Sequence, residues 1–180
     1  MVELTNELGR QIGVLINRRG KIEYVMIGEA NQIELPDFKR VRAGVGRFRG
    51  LRHVHTLTDA KGLRHDDLVD LALLQLDLVA GIEAGKDDLP GQTFVAHLMP
   101  QTNGGDPWRI LPARHFSAWT DNILDFITAL ETEFSESVGP AEKVEGRDRA
   151  ILITVYQKNR AAAEASMEEL AELAQSAGVE

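Results

Sequence analysis

The sequence predicts an α/β chain in which helices flank a mixed β-sheet. Short β-rich runs near the amino terminus alternate with stretches whose apolar residues follow the helical period. A later run, "RAILITVY" (149–156), is almost continuously apolar, which is typical of a strand in a parallel sheet. At 180 residues, the chain can hold one full domain, or one domain plus a smaller piece.

The first predicted strands form a β-hairpin. In "IGVLINRRGKIEYVMIG" (12–28), two β-rich runs flank a polar segment with Gly20, which can take a left-handed turn position. A third strand is predicted at "GLRHVHTL" (50–57). Further strands are predicted at "GQTFVAHLMP" (91–100) and "WRILPARHF" (108–116).

Three helices are predicted, over residues 66–82, 121–138 and 160–177. Asp66 and Asp67 suit the positive amino-terminal end of the first helix. Its apolar residues spread around more than one side, which indicates a helix covered on several sides.

The composition changes at "GPAEKVEGRD" (139–148), which is charged and nearly free of large apolar residues. We interpret residues 1–138 as one domain, 139–148 as a linker and 149–180 as the start of a second domain. A strand and a helix are present there without the parallel strand that would complete the β-α-β unit. The sequence therefore suggests a fragment of a longer protein, whose unpaired carboxy-terminal strand pairs with the main sheet or forms a homodimer.

Composition excludes several classes of site. The absence of cysteine excludes disulfides, cysteine-ligated zinc and a thiol nucleophile. No apolar run approaches the roughly 20 residues of a membrane span, and the amino terminus lacks the pattern of a secretory signal. We therefore expect a cytoplasmic protein without a membrane partner. The net charge of −8 argues against nucleic-acid binding through overall charge.

A local basic segment, "KRVRAGVGRFRGLR" (39–52), contrasts with this acidic balance. It contains no acid, and its cations are Lys39, Arg40, Arg42, Arg47, Arg49 and Arg52. Such a segment could contact RNA phosphates, with Phe48 stacking on a base. The alternative is a solvated loop whose arginines pair with the surplus acids of the protein itself.

The carboxy-terminal sequence resembles the opening of the amino-terminal domain of HflX-type GTP-binding proteins. The matching features are an Arg-Ala-Ile-Leu strand at 149–152, the pattern "SMEELAELA" at 166–174, and Ala177-Gly178. The stretches "LGRQIGVLINRRGKIEYVMIGEANQIELPD" and "LRHVHT" resemble the longer amino-terminal extension of some members.

This resemblance implies a parent protein that binds GTP with Mg²⁺, hydrolyses it and associates with the large ribosomal subunit. The present chain would be its regulatory or binding region, packing on the parent's GTPase domain, and would not itself be an enzyme. It lacks the phosphate-loop pattern Gly, four residues, Gly-Lys-Ser/Thr. The nearest stretch, "GIEAGKDD" (81–88), has a spacer of three and Asp87 in place of the hydroxyl residue, and we interpret it as a helix-ending turn.

A second resemblance involves two histidines. His53 and His55, on one face of the predicted strand, and Asp66, after ten intervening residues, reproduce the metal-ligand spacing of JAMM-type metalloproteases. RadC-type proteins share that fold. The resemblance implies a three-layer sandwich and a zinc ion with an open position for water.

The chain departs from the JAMM pattern at the positions that perform catalysis. Thr56 replaces a proline, Leu63 replaces the serine, and Gln11 or Gly13 falls where the general-base glutamate belongs. Metal ligands without catalysis would make the domain a degenerate relative. The simpler alternative is a strand ending in two partly exposed histidines, with an aspartate at a helix start. A non-catalytic binding module and a zinc-dependent hydrolase therefore remain the two competing functions.

Overall fold

The structure is a computed structural model that describes residues 1–36, 48–100, 105–120, 122–137, 152–154 and 160–176. The chain divides into two compact units, Met1–Gly139 and Pro140–Glu180. The first unit contains an open, mixed β-sheet with helices, so the predicted α/β class is confirmed.

The sheet has seven described strands: β1 (Ile12–Asn17), β2 (Ile22–Ile27), β3 (Leu51–Leu57), β4 (Leu78–Ala84), β5 (Pro90–Leu98), β6 (Trp108–Ile110) and β7 (Arg114–His115). Their order is β2-β1-β3-β4-β5-β6, and β7 also pairs with β5. Strands β3 and β4 pair in parallel, and the other described pairs are antiparallel. This one parallel pair requires a crossover, which contains a helix.

The predicted hairpin at 12–28 is confirmed as β1 and β2. Its turn is organised by Asn17, whose side-chain oxygen accepts hydrogen bonds from the backbone N–H groups of Arg19 and Lys21. Gly20 has a φ of 81°, the left-handed conformation that glycine adopts without a steric penalty.

The described helices are α1 (Val2–Leu8), α2 (His65–Leu73), α3 (Ile123–Ser137) and α4 (Arg160–Ser176), with a short 3₁₀ helix at Phe116–Ala118. Helices α3 and α4 agree with the predictions at 121–138 and 160–177. Helix α1 was not predicted, because its seven residues are too few for a clear periodic signal. Within the described ranges, no helix is both long and apolar enough to cross a membrane.

The predicted helix at 66–82 is wrong over its second half. Helix α2 ends at Leu73, and the residues from Leu78 onward form the central strand β4. A continuous apolar run fits a buried helix and a strand covered on both faces equally well, so periodicity alone could not decide between them.

The end of α2 lacks the glycine that usually marks a helix terminus in the sequence. Gln75 takes the left-handed conformation, with a φ of 51°. The backbone N–H of Gln75 bonds to the carbonyl of Ala72, and that of Leu76 bonds to the carbonyl of Leu71. These are the two hydrogen bonds of a Schellman motif, which usually has glycine at the left-handed position.

One further prediction changes with this boundary. The segment 81–88, interpreted as a helix-ending turn, is the end of β4 and the tight turn into β5, where the N–H of Gly85 bonds to the carbonyl of Leu89. Of the strand predicted at 149–156, only residues 152–154 are described, and they do not belong to a strand. The predicted linker at 139–148 lies outside the described residues.

The alternation of side chains along β3 gives the sheet two distinct faces. One face packs against α2 through buried residues that include Leu15, Leu68, Leu71, Val79 and Ala96. The other face carries a smaller cluster of Leu78, Ala80 and Val95. On this second face, α1 contacts β3 through a 2.6 Å hydrogen bond between the hydroxyls of Thr5 and Thr56.

A partly buried charge cluster joins the hairpin turn, the start of β4 and α3. The Asp77 carboxylate is fully buried and accepts two hydrogen bonds from the Arg18 guanidinium, at 2.8 and 3.0 Å, and one from the N–H of Gly50. Arg18 also bonds to Glu131 at 2.7 Å. The carboxylate thus has partners that offset its loss of hydration.

Candidate functional site

The two histidines of the predicted metal site lie side by side on β3. Their rings stack with centroids 4.8 Å apart and planes inclined by 14°. Residues two apart on a strand project from the same face, so the predicted sharing of a face by His53 and His55 is confirmed.

Two glycines lie beside the histidine pair. Gly13 on β1 and Gly81 on β4 are the register partners of His55 on its two neighbouring strands. A Cβ atom at Gly13 would lie 3.1 Å from Nε2 of His53, and one at Gly81 would lie 2.9 Å from a methyl group of Leu57. A side chain at Gly13 would therefore crowd the His53 ring, and one at Gly81 would crowd Leu57.

The histidine pair is sealed from solvent. His53 is 1% exposed and His55 is 0% exposed, so the prediction of partly exposed histidines is wrong. All four ring nitrogens are buried and have no hydrogen-bond partner among the described residues. Each unpaired buried polar group costs on the order of 1–3 kcal/mol, and among these nitrogens Nε2 of His55 has a carboxylate nearby, Oδ1 of Asp67 at 3.5 Å.

Burial keeps both imidazoles neutral. It lowers the pKa of His53 from 6.5 to about 3, with a smaller contribution from the neighbouring His55. Burial also lowers the pKa of His55, although the carboxylate of Asp67 opposes this effect. Two neutral rings at neutral pH present lone pairs, which is the form in which imidazole binds a metal.

The structure places Asp67, and not the predicted Asp66, beside the histidines. Oδ1 of Asp67 is 3.5 Å from Nε2 of His55, and Oδ2 accepts a 2.7 Å hydrogen bond from the backbone N–H of Arg64 at the start of α2. Asp66 is exposed. The spacing argument missed this carboxylate by one residue because it could not fix the rotation of the helix relative to the strand.

The three positions that depart from the JAMM pattern have structural roles. Thr56 is fully buried, and its hydroxyl accepts a hydrogen bond from the N–H of Ile12 and contacts the hydroxyl of Thr5. Leu63 packs against the core cluster beneath α2. Gln11 is buried, and its backbone pairs with Gly28 and Glu29.

The predicted zinc set does not assemble in this conformation. Over the ranges that the structure covers, no group of three or more histidine or carboxylate side chains is close enough to hold a metal ion. The two imidazoles suit a metal, but the third predicted ligand, Asp66, points to solvent. A catalytic zinc also needs an open position that substrate can reach, and the histidine pair is closed on every side.

The basic segment is described only at its carboxy-terminal end. Nε of Arg49 donates to the backbone carbonyl of Leu74, and Nη2 of Arg52 donates to that of Asn17. These two arginines therefore hold the fold together instead of facing a partner freely. Lys39, Arg40, Arg42 and Arg47 lie outside the described residues.

The other histidines lie in separate places. His97 is buried on β5, where its Nδ1 contacts the carbonyl of Leu98 and its ring packs edge-on against Phe126. His115 caps the short 3₁₀ helix through Ser117. His65 is exposed and packs edge-on against Trp108. These contacts explain all three without a shared metal.

No protein-family model matches the chain, and no solved structure gives a significant match to it.

Proposed function

We propose that this chain is a non-catalytic binding and regulatory region of a ribosome-associated GTPase of the HflX type. The burial of the histidine pair is the main support for proposing that the chain is not catalytic. A hydrolase must admit substrate and water to its reactive centre, and the imidazoles of His53 and His55 are almost completely buried. No acid occupies the position of the general base, because Gln11 and Gly13 stand there.

The partner follows from the sequence resemblance. The "SMEELAELA" pattern at 166–174, which carries part of this resemblance, lies within α4. The basic segment supplies four cations in nine residues, Lys39, Arg40, Arg42 and Arg47, without an intervening acid. On an acidic chain, such a local excess of positive charge favours contact with the phosphates of ribosomal RNA.

Co-sedimentation with purified 50S ribosomal subunits tests this proposal. We expect the chain to bind, and the affinity to fall steeply with salt because bound counterions are released from the RNA. A Lys39→Gln/Arg40→Gln/Arg42→Gln/Arg47→Gln variant should bind at least tenfold more weakly, with a shallower salt dependence. Arg49 and Arg52 are kept, since their hydrogen bonds to backbone carbonyls support the fold.

The matched control removes four exposed cations elsewhere, in an Arg10→Gln/Arg19→Gln/Lys21→Gln/Lys61→Gln variant with the same net charge. It should retain the affinity of the wild type. An equal loss in both variants would mean that only overall charge matters and would remove the basic segment from the interface. A wild-type chain that does not sediment with the subunits would refute the proposed ribosomal partner.

A zinc-dependent hydrolase is the alternative, and one observation favours metal binding. Four buried ring nitrogens without partners are unusual, and a metal ion would satisfy part of this deficit. Elemental analysis of protein purified without a nickel column decides the point. One zinc per chain, lost in His53→Ala/His55→Ala but kept in His65→Ala/His115→Ala, would support the alternative. Metal-free protein would eliminate it.

A further inference from the structure

The sheet face opposite the histidine pair carries a cavity of about 660 Å³. Its floor is formed by side chains of β3, β4 and β5, namely Val54, Leu78, Ala80 and Val95. Its other wall is aromatic and comes from Phe116, Trp119 and Phe126. This volume and apolar lining are typical of sites that enclose a small organic molecule.

Three polar groups in the cavity wall lack partners. Nε of Arg52, Oγ1 of Thr93 and Nε1 of Trp119 are buried and have no hydrogen-bond partner among the described residues. Thr93 as a whole is 5% exposed. The arginine and tryptophan nitrogens can only donate hydrogen bonds, so their missing partner must be an acceptor.

The charges around the cavity favour an anion. Two guanidinium groups, those of Arg52 and Arg114, and one carboxylate, that of Asp125, line it. The guanidinium carbon of Arg114 lies 5.1 Å from the centre of the Trp119 ring, a cation-π contact that holds positive charge at the aromatic wall. Arg52 is anchored at the other side by its 2.8 Å hydrogen bond to the carbonyl of Asn17.

We propose that this cavity binds a small amphipathic carboxylate, with its apolar body on the sheet and its head group on Thr93 and Trp119, beside the guanidinium of Arg114. Arg114 is the register partner of Thr93 and lies over the Trp119 ring, whereas Arg52 lies two strands away from Thr93 at the other end of the cavity. A carboxylate has two oxygens that accept several hydrogen bonds and carries the charge that pairs with guanidinium. The Thr93 hydroxyl and the Trp119 indole N–H are closed to water, so binding involves small side-chain rotations that turn them toward the head group. Their unpaired state disfavours the empty form, and an acceptor in the cavity relieves that cost.

The proposal does not depend on the ribosomal partner or on a metal. Its site lies on the face opposite His53 and His55, since Val54 alternates with them along β3. It would make the domain a small-molecule sensor in addition to a docking region. A failure of ribosome binding therefore leaves this proposal standing, and the reverse also holds.

Proton–nitrogen NMR spectra of ¹⁵N-labelled full chain provide a direct readout. The chain has two tryptophans, so it should show two indole N–H signals, which Trp108→Phe and Trp119→Phe variants assign. Titration with decanoate, kept below its micelle concentration, should shift the Trp119 signal and leave the Trp108 signal in place. Decanol and decylamine have the same chain with a neutral or cationic head and should bind at least tenfold more weakly.

Two substitutions then test the head-group contacts, with binding followed through the backbone amide signals of residues that line the cavity. Thr93→Val and Trp119→Phe each remove a donor while keeping most of the apolar volume, and each should weaken decanoate binding about tenfold. The matched controls Arg109→Met and Trp108→Phe, which do not line the cavity, should bind as the wild type does. Thr93→Val is nearly isosteric, so it keeps the test valid even if Trp119→Phe fails to fold.

Several results would overturn the proposal. A Trp119 signal that does not move with decanoate would show that the cavity does not take a carboxylate. Equal affinity for decanoate, decanol and decylamine would show apolar partitioning without head-group recognition, as would full affinity in the folded Thr93→Val and Trp119→Phe variants.

Discussion

The polar groups on the two faces of the sheet have different surroundings: a filled core on one face and a cavity on the other. The face beneath α2 is filled, and it seals two imidazoles among leucine, valine and alanine side chains. The opposite face is partly open, and its polar groups line a cavity between the strands and an aromatic wall. The same strand, β3, supplies both faces by alternation, with His53 and His55 on one and Arg52 and Val54 on the other.

This difference shows that polar residues alone do not mark a functional site. The sequence indicated the histidines as candidate metal ligands, yet their surroundings leave no room for substrate. The cavity face carries ordinary residues that no sequence pattern selects, and it offers the volume and the unpaired donors that a ligand requires. Access and unfilled volume separate the two faces more sharply than composition does.

The largest expected effect comes from comparing a leucine substitution in the core beneath α2 with one beside the cavity. Leu71→Ala removes a fully buried side chain beneath α2 and should lower the free energy of unfolding by about 3–5 kcal/mol. Leu111→Ala removes the same atoms from a partly exposed residue beside the cavity and should cost about 1–2 kcal/mol. Urea denaturation followed by circular dichroism measures both, and equal losses would contradict the distinction between the faces.

The sealed histidines should make the protein acid-sensitive. The folded-state pKa of His53, about 3, lies below its usual value of 6.5, and that of His55 is also lowered. Between these values the unfolded chain binds protons that the folded chain does not, so stability falls as pH falls from about 6.5. Denaturation in the presence of a chelator should show a loss of about 2 kcal/mol from His53 between pH 7 and 5, with a further loss from His55.

A His53→Leu/His55→Leu variant tests whether the buried histidines cause this loss of stability at low pH. It should lose most of the acid sensitivity and be at least as stable at pH 7, because it replaces unpaired buried polar groups with apolar ones. The matched variant His65→Gln/His115→Gln changes exposed histidines, and its free energy of unfolding should depend on pH as that of the wild type does. The same pH dependence in both variants would show that the buried pair does not cause the acid sensitivity.

A smaller effect tests the space beside the imidazoles. In Gly13→Ala, the added methyl would lie 2.6 Å from Cδ1 of Ile33 and 3.1 Å from Nε2 of His53. This overpacking should cost about 1–3 kcal/mol in thermal or urea unfolding. Gly105→Ala, where nothing lies within 4 Å, should change stability by less than about 0.5 kcal/mol. A neutral Gly13→Ala would mean that the face is less tightly packed than described.

The elements with a complete local signal were predicted well. The hairpin has β-rich runs that flank a glycine turn, and α3 has a regular apolar stripe. Both patterns involve residues close together in the sequence, so local sequence predicts both elements. The end of α2 was missed because Gln75 takes the left-handed position that glycine usually marks. Strand β4 was missed because burial on both faces removes the alternation that identifies a strand.

The candidate site shows the same division. Sequence spacing brought His53 and His55 together correctly, because the two-residue period of a strand is a local property. It selected Asp66 over Asp67, since the rotation of α2 against β3 depends on how Leu68 and Leu71 pack in the core. The residues of the cavity come mainly from β3, β4, β5, the segment from β7 to α3 and the first turn of α3, and no local pattern connects them.

By itself, the sequence determined the α/β class, the hairpin, the alternation along β3 and the acidic charge with its basic segment. These follow from backbone geometry, side-chain period and composition, which operate over a few residues. Only the tertiary structure decided that His53 and His55 are sealed, that Asp67 is their neighbouring carboxylate and that a cavity lies on the opposite face. Burial, access and unfilled volume depend on contacts between residues far apart in the chain, and those contacts exist only after the elements have packed.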